Sequence, residues 1–399
     1  MRTRGIAIAL VAMSLAASAL LVPNASSEGQ HKWMYLLYLD AENSLDVKAN
    51  NVYVVQSDLD ELMSVRWSTD DVVCYVLVDR LAGPANLLRI DNGKAIEMTD
   101  FKWNGKEVNM GSPDTLMDFV SFTAKKTPAD NTLLVFWDHG SLRYAASDDH
   151  VSESGGTDVL THFEVVEALS EFKIDVIAAD ECNVGQIEVA YEYAVNTRAK
   201  YLVAAETYTG WRGFPYDATL REMTKNPAMT PEDAATMLVE QTQILLNKPP
   251  YMGERVNTHS AIDLTKVQDL VGSLKSLTSM MIPDMDHYIN LISRARGNAQ
   301  YCYGANAGNR IDLGVFVQSI AAKTASKDLR AACSAVLEDL DDTVIAIHAT
   351  GSLDHMLNGL GITLPDHMSE LPGFYSDFEF AGQGWLDFAK AYCGAHGST

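Results

Sequence analysis

Thr132 to Trp137 is an apolar, β-favouring run that leads into Asp138-His139-Gly140. A second such run, Ile174 to Ala179, leads into Asp180-Glu181-Cys182-Asn183. If both runs are buried neighbouring strands, an imidazole and a thiol stand on one rim of a sheet, and in open parallel sheets sites form at the carboxyl ends of the strands. That pair suits covalent hydrolysis through a thiolate, which needs a base, a positive local field and donors aimed at a developing oxyanion. Cys182 is expected between a strand and the start of a helix, where unpaired N–H groups and the helix dipole lower a thiol pKa. Gly140 has no Cβ, so its N–H can approach a carbonyl closely, and the N–H groups of Gly140 and Cys182 are the candidate oxyanion hole. Spacing alone is weak evidence. An inert buried cysteine and a hydrogen-bonded loop histidine would account for the same residues, and only their shared place at strand ends favours chemistry. His162, His259, His287 and His348 fall within expected helices or a strand and read as structural.

The elements that must position this pair follow from periodicity and turn residues. Trp33 to Leu39 reads as a buried first strand, Asn50 to Val65 as a helix and Val72 to Asp79 as a second strand. Leu87 to Ile90 and Ala95 to Met98 flank Asp91-Asn92-Gly93, a hairpin turn. Ser112-Pro113-Asp114 opens a helix to about Ala124, and Thr161 with Glu164 forms a capping box for a helix from Phe163 to Phe172. After Cys182 come a helix from about Val184 to Val195, a strand from Lys200 to Ala205, a helix opened by Thr230-Pro231-Glu232-Asp233 and a strand from Thr258 to Leu264. From Lys266 to about Ile347 the chain is expected to be mostly helical, and Gly361 to Leu364 forms a last short strand. Strands alternating with helices predict a largely parallel sheet between helical layers. Residues 28–265 form the expected catalytic α/β domain, and residues 266–399 a mostly helical part packed on it.

The chain has 399 residues, of which 47% are aliphatic, aromatic or cysteine, enough for a large core and incompatible with disorder as the main state. Arg2 and Arg4 precede the apolar run Gly5 to Val22, and Asn24-Ala25-Ser26-Ser27 offers small-residue cleavage sites. Residues 1–27 therefore read as an export signal, or as an N-terminal anchor, and the rest is expected to be secreted or to lie on the outer face of the membrane. A net charge of −23 excludes nucleic acid as a partner, since phosphates need Lys and Arg. Five cysteines are present and none has metal-ligand spacing. Cys74 reads as a core residue, and Cys302, Cys333 and Cys393 could supply one disulfide. No metal site is expected from Cys or His, and the thiol chemistry requires no cofactor.

In its ordered motifs the chain resembles the clostripain family of cysteine peptidases, within the caspase-like group. The residues carrying the resemblance are Trp33-Met34-Tyr35-Leu36-Leu37-Tyr38-Leu39-Asp40-Ala41-Glu42-Asn43-Ser44-Leu45, Trp137-Asp138-His139-Gly140, Asp158-Val159-Leu160-Thr161, Asp180-Glu181-Cys182, Ala205-Glu206-Thr207 before Gly210-Trp211, Ile311-Asp312-Leu313-Gly314 and Gly359-Leu360-Gly361-Ile362. The resemblance implies a three-layer α/β/α caspase-like sandwich with a helical C-terminal part and a Cys182/His139 dyad acting on peptide or protein substrates. It also implies that Asp180 lines the pocket for the residue before the cut, favouring Arg or Lys by charge-assisted pairing. Thr209 and Trp211 are expected at the same pocket, Trp211 as a packing residue that could also wall it, although relatives often carry an acid in the neighbourhood of Thr209.

A small residue usually precedes the nucleophile, and here it is Glu181, which could face solvent, add charge to the cleft or raise the Cys182 pKa. Relatives are often activated by self-cleavage in the loop after the histidine, and Arg143 is the basic residue of Ser141 to Asp158. Calcium dependence is known in the family. Asp148, Asp149, Glu153 and Asp158 of that loop could bind calcium, but they lack EF-hand spacing and read more simply as a solvated acidic loop. Two alternatives stand beside the peptidase: a weakly active or inactive clostripain-like binding module, and a transpeptidase using the same dyad.

Overall fold

A computed structural model of the chain describes residues 31–49, 52–67, 70–151, 155–248, 257–301, 308–350 and 356–396. The expected export signal, Glu153 and Cys302 lie outside these segments.

Nine strands form one sheet: β1 (His31–Ala41), β2 (Val72–Arg80), β3 (Asn86–Asp91), β4 (Lys94–Glu97), β5 (Ala129–Trp137), β6 (Val176–Asp180), β7 (Tyr201–Ala204), β8 (Thr258–Asp263) and β9 (Val344–Ala349). Their spatial order is β9-β8-β7-β6-β5-β1-β2-β3-β4. The central strands β7, β6, β5, β1 and β2 run parallel, and the pairs at both edges are antiparallel. Trp33 to Ala41 is buried throughout, as a strand covered on both faces must be, which is why it reads as an unbroken apolar run rather than an alternating one. Its side chains nonetheless alternate between layers. Trp33, Tyr35, Leu37 and Leu39 pack with helices α1 (Val54–Ser64), α5 (Tyr216–Lys225) and α6 (Pro231–Leu246). Met34, Leu36 and Tyr38 face the other layer, which holds α2 (Pro113–Lys126), α3 (His162–Leu169), α4 (Ile187–Asn196) and the later helices α7 (Val267–Met281), α8 (Met285–Tyr301), α9 (Leu313–Lys323), α10 (Lys327–Thr343) and α11 (Trp385–His396).

Local signals worked where the physics is local. Asn92 and Gly93 both take positive φ in the β3–β4 turn, the backbone a two-residue hairpin of this twist demands. Thr161 with Glu164, and Thr230 with Asp233, each form a complete capping box. Ser112 occupies the N-cap of α2, but its hydroxyl makes no cap bond. The expected helix from Asn50 starts only at Val54, and the later helical stretch stops at Thr343, with Val344 to Ala349 forming the edge strand β9. No Gly or Pro separates the two, so a breaker-based reading carries the helix too far, whereas the sequence Val-Ile-Ala-Ile favours a strand. Cys74, Cys333 and Cys393 are buried free thiols, so no disulfide is formed among the described residues. No described helix is long and apolar enough to cross a membrane.

The chain leaves β1 toward β2 on one side and returns through β5, β6 and β7 on the other. The strand order reverses beside β1, and a crevice opens there at the carboxyl ends.

Candidate active site

The β5–β6 register pairs Trp137 with Asp180, so His139 and Cys182 each lie two residues beyond a matched pair. Both line a cavity of about 140 Å³ with Leu45, Asp180, Thr209 and Trp211. The two side chains that the sequence singles out are thus brought to one cleft, and so are the three expected pocket residues. Trp211 is exposed at the rim, as a wall of such a cleft would be.

The local backbone around Cys182 differs from expectation. No helix begins there: Asn183 takes φ of +65° in a turn, and α4 starts only at Ile187. Burial pushes the Cys182 thiol up and the Asp180 charge adds to this, while the Thr209 N–H and the Arg310 charge oppose it. Thr209 N–H donates to Cys182 Sγ at 3.3 Å, and its hydroxyl donates to the Glu181 carbonyl at 2.8 Å. Thr209 therefore holds the thiol as well as lining the cleft. Burial holds the His139 imidazole below its ordinary value, against the Asp149 charge. Both shifts favour the uncharged thiol and the uncharged imidazole. Alkylation of Cys182 by iodoacetamide is expected to keep accelerating as pH rises through the ordinary thiol range near 9. A rate that levels off by pH 7 would reveal a preformed thiolate instead.

Gly140 shows why its position tolerates no side chain. A Cβ there would lie 2.5 Å from Glu181 Cβ and 2.8 Å from the Cys182 carbonyl oxygen. Its amide and that of Cys182 take no hydrogen-bond partner among the described residues.

His139 Nε2 and Ser44 Oγ are 2.8 Å apart. Ser44 belongs to the turn after β1, which is tied down by Asn43. Its amide donates to Asp138 Oδ1 at 2.7 Å and to the Ser147 carbonyl at 3.0 Å. Asp138 also accepts the backbone N–H groups of His139 and Ser147. Asn43, Ser44 and Asp138 left no signal beyond their place in the quoted motifs, and Ser147 left none.

Asp180 is 5% exposed. Its Oδ2 accepts from Phe214 N–H at 2.9 Å and Tyr216 O–H at 2.8 Å, while Oδ1 is buried with no partner among the described residues. Burial pushes this carboxyl up to about 6 in spite of those two bonds. Gly213 sits over it at φ +60°, where a Cβ would overlap the carboxylate. Arg212 ties this loop to α1 through Glu61 and Asp58.

The sequence model of the clostripain family (Peptidase_C11) matches residues 37–391. This chain belongs to the clostripain family. Clostripain of Hathewaya histolytica is 25% identical over 237 residues, covering 51% of this chain and 44% of that protein, so the match spans under half of the relative's length. In fold the chain is similar to a secreted C11 cysteine protease from Bacteroides thetaiotaomicron solved with an irreversible peptide inhibitor. The TM-score is 0.66 at 18% identity, covering 91% of this chain and 99% of that one. An inactive zymogen C11 protease from Parabacteroides distasonis gives a TM-score of 0.61 at 16% identity, covering 89% and 98%. The α/β fold with a mostly parallel central sheet is the one these proteases share.

Glu181 directly precedes Cys182. It does not face solvent: it is 1% exposed, and neither carboxylate oxygen has a partner among the described residues. Burial first, then the charges of Asp138 and Asp180, raise its carboxyl well above the ordinary range. A folded pKa above the unfolded one stabilises fully below the unfolded value, and that contribution is lost as pH rises toward the folded value. Glu181→Gln cannot ionise, so it is expected to gain about 1–3 kcal/mol on the parent between pH 5 and pH 8. Urea unfolding at the two pH values reads this difference, and equal gains at both would place Glu181 in contact with water.

The hairpin Tyr144–Asp148 with Asp158–Thr161 replaces the expected open loop after His139. Arg143 lies at its base, exposed, with its guanidinium over the Phe374 ring. Its N–H donates to Ser141 Oγ and its carbonyl accepts from His162 N–H. Asp148 is buried and accepts the N–H groups of Met110 and His150, whereas Asp158 is exposed and accepts from Asn109. With Asp149 they form no shared ligand group among the described residues.

Proposed function

We propose that this chain is a cysteine endopeptidase that uses Cys182 as nucleophile and His139 as base and acid, and that cuts after Arg or Lys. His139 takes the thiol proton as sulfur attacks the scissile carbonyl carbon, and the Gly140 and Cys182 N–H groups receive the oxyanion. The C–N bond breaks as His139 returns the proton to the leaving amine. Water, deprotonated by the same imidazole, then releases the acid product from the thioester. Because both shifts favour an uncharged resting pair, proton transfer accompanies attack rather than preceding it. A basic side chain entering the cleft would pair with Asp180, and Trp211 would cover its aliphatic stem.

What carries the reading is one cavity holding the thiol, the imidazole and a buried carboxylate with a bare oxygen. The test is hydrolysis of fluorogenic peptides with Arg, Lys, Asp, Asn or Leu before the cut. Turnover confined to Arg and Lys supports both the chemistry and the pocket, turnover confined to another residue keeps only the chemistry, and none across the panel sinks both.

Export and self-cleavage belong to the same proposal. Residues 1–27 read as a signal, and the similar Bacteroides protease is described as secreted. Self-cleavage after Arg143 would require breaking the two backbone bonds that hold it. Sequencing the N-termini of protein recovered from the medium tests both, with ends expected near residue 28 and at Tyr144.

A further inference from the structure

One buried histidine outside the proposed dyad touches both arms of the cleft. His259 lies near the start of β8, is 1% exposed and is the register partner of His348 on β9. Because β8 runs antiparallel to β7, its first residues, rather than its last, stand at the carboxyl ends of the parallel strands. A reading along the chain therefore leaves His259 as a structural strand residue. Thr258, just before it, accepts the Thr207 N–H at 3.1 Å. The start of β8 thus backs the segment 207–209 that reaches the thiol.

The contact to Thr209 has one arrangement of protons that satisfies it. The Thr209 hydroxyl donates to the Glu181 carbonyl, so its oxygen is left to accept. His259 Nε2, 3.4 Å away, is then the donor. Its Nδ1, the unprotonated nitrogen of that tautomer, is buried with no hydrogen-bond partner among the described residues. Burial first, then His348, push the imidazole down to about 3, so the ring is neutral near neutral pH. The same ring meets Phe214, with centroids 5.2 Å apart, and the Phe214 N–H is one of the two donors to Asp180.

We propose that His259 is a positioning residue for both arms of the cleft. Its Nε2–H holds Thr209, and through the Thr209 N–H the Cys182 sulfur, while its ring steadies Phe214 beside the Asp180 carboxylate. A hydroxyl that accepts one hydrogen bond donates a stronger one, so the bond from His259 tightens the grip of Thr209 on the Glu181 carbonyl. That grip keeps the Thr209 amide aimed at the sulfur. The consequences for turnover rest on the peptidase reading, whereas the hold on the thiol does not.

Two variants of the full-length protein separate the arms. His259→Phe keeps a ring against Phe214 and loses the donor, whereas His259→Gln places an amide nitrogen near the position of Nε2 and loses the ring. Alkylation of Cys182 by iodoacetamide is followed against pH by peptide mass, and kcat and KM are measured on peptides with Arg or Leu before the cut. In His259→Phe, alkylation near neutral pH is expected to slow about three- to fivefold with its high-pH limit unchanged, since a thiolate without its amide donor forms less readily. Its kcat should fall about tenfold on both peptides, with KM within about twofold of the parent. His259→Gln should alkylate and turn over within about twofold of the parent, while KM for the Arg peptide alone rises about threefold or more. His259→Asn, too short to reach Thr209 and without a ring, should show both losses, and it reads either arm where one of the other variants does not fold. Alkylation at the parental rate in His259→Phe and His259→Asn overturns the hold on the thiol. An equal slowing in His259→Gln overturns it too, because the residue would then act by packing alone. An unchanged KM in His259→Gln overturns the pocket arm. If the parent cuts no peptide, the peptidase reading fails by itself, and the alkylation profile still decides the thiol arm.

Discussion

Cys182→Ala is expected to lower kcat/KM on a cleaved peptide by at least about 10⁴-fold and to leave Tm within about 2 °C. The large kinetic effect follows if the proposed mechanism holds, because the variant lacks the atom proposed to form the thioester and neither the proposed oxyanion donors nor Asp180 can replace it. The small stability effect follows from the surroundings of the thiol. Cys182 is only partly buried, and its sulfur accepts one amide hydrogen bond, from Thr209, at 3.3 Å. The thiol also donates to the Thr209 carbonyl at 3.7 Å, and loss of these two weak sulfur bonds costs little. His139→Ala should fall by a comparable factor, and the double variant should fall no further than either single one, because the two act as a unit. Activity retained above about 1% of the parent in Cys182→Ala would remove the sulfur from the mechanism and require another nucleophile.

Asp180→Asn is expected to cost about 10²–10³-fold in kcat/KM on substrates with Arg or Lys before the cut, and little on substrates with Leu. An ionised carboxylate buried against a guanidinium is worth several kcal/mol, whereas its neutral amide offers one ordinary hydrogen bond. The pH dependence has a definite sign. Burial pushes the Asp180 carboxyl up to about 6, so below that value the pocket holds a neutral acid and binds a cationic side chain poorly. Activity on basic substrates should therefore rise as pH increases through about 6, by way of KM rather than kcat. In Asp180→Asn that acidic limb should vanish while the limb belonging to His139 and Cys182 persists. The variant is expected to fold, because Phe214 N–H and Tyr216 O–H can donate to the asparagine carbonyl as they do to Oδ2. Equal losses on Arg, Lys and Leu substrates would make Asp180 a structural support for the 210–216 loop instead of a specificity residue.

Much of the frame was readable from the chain because the forces behind it act over a few residues. Strands β1, β5 and β6 are buried on both faces and so appear as apolar runs; the hairpin turn and the two capping boxes are each specified within a few neighbouring positions. Placing His139 and Cys182 at strand ends needed only those runs and the tendency of consecutive parallel strands to pair. Their environment was another matter. A helix start at Cys182 was expected to lower the thiol pKa, but the turn through Asn183 delays the helix to Ile187, and burial pushes the thiol up instead. Of the three settings open to Glu181, solvent is ruled out by its burial.

What the chain by itself determined is the alternation of elements, the two chemical residues at strand ends and the family to which its motifs belong. Only the tertiary structure decided that Thr209 grips the thiol, that Ser44 meets the imidazole and that Tyr216, 36 residues after Asp180, holds the pocket carboxylate. It alone set His259 of β8 against Thr209 and Phe214. Periodicity and capping depend on neighbours along the backbone, whereas desolvation and charge depend on distance in space, and sheet order sets that distance only after the chain has folded.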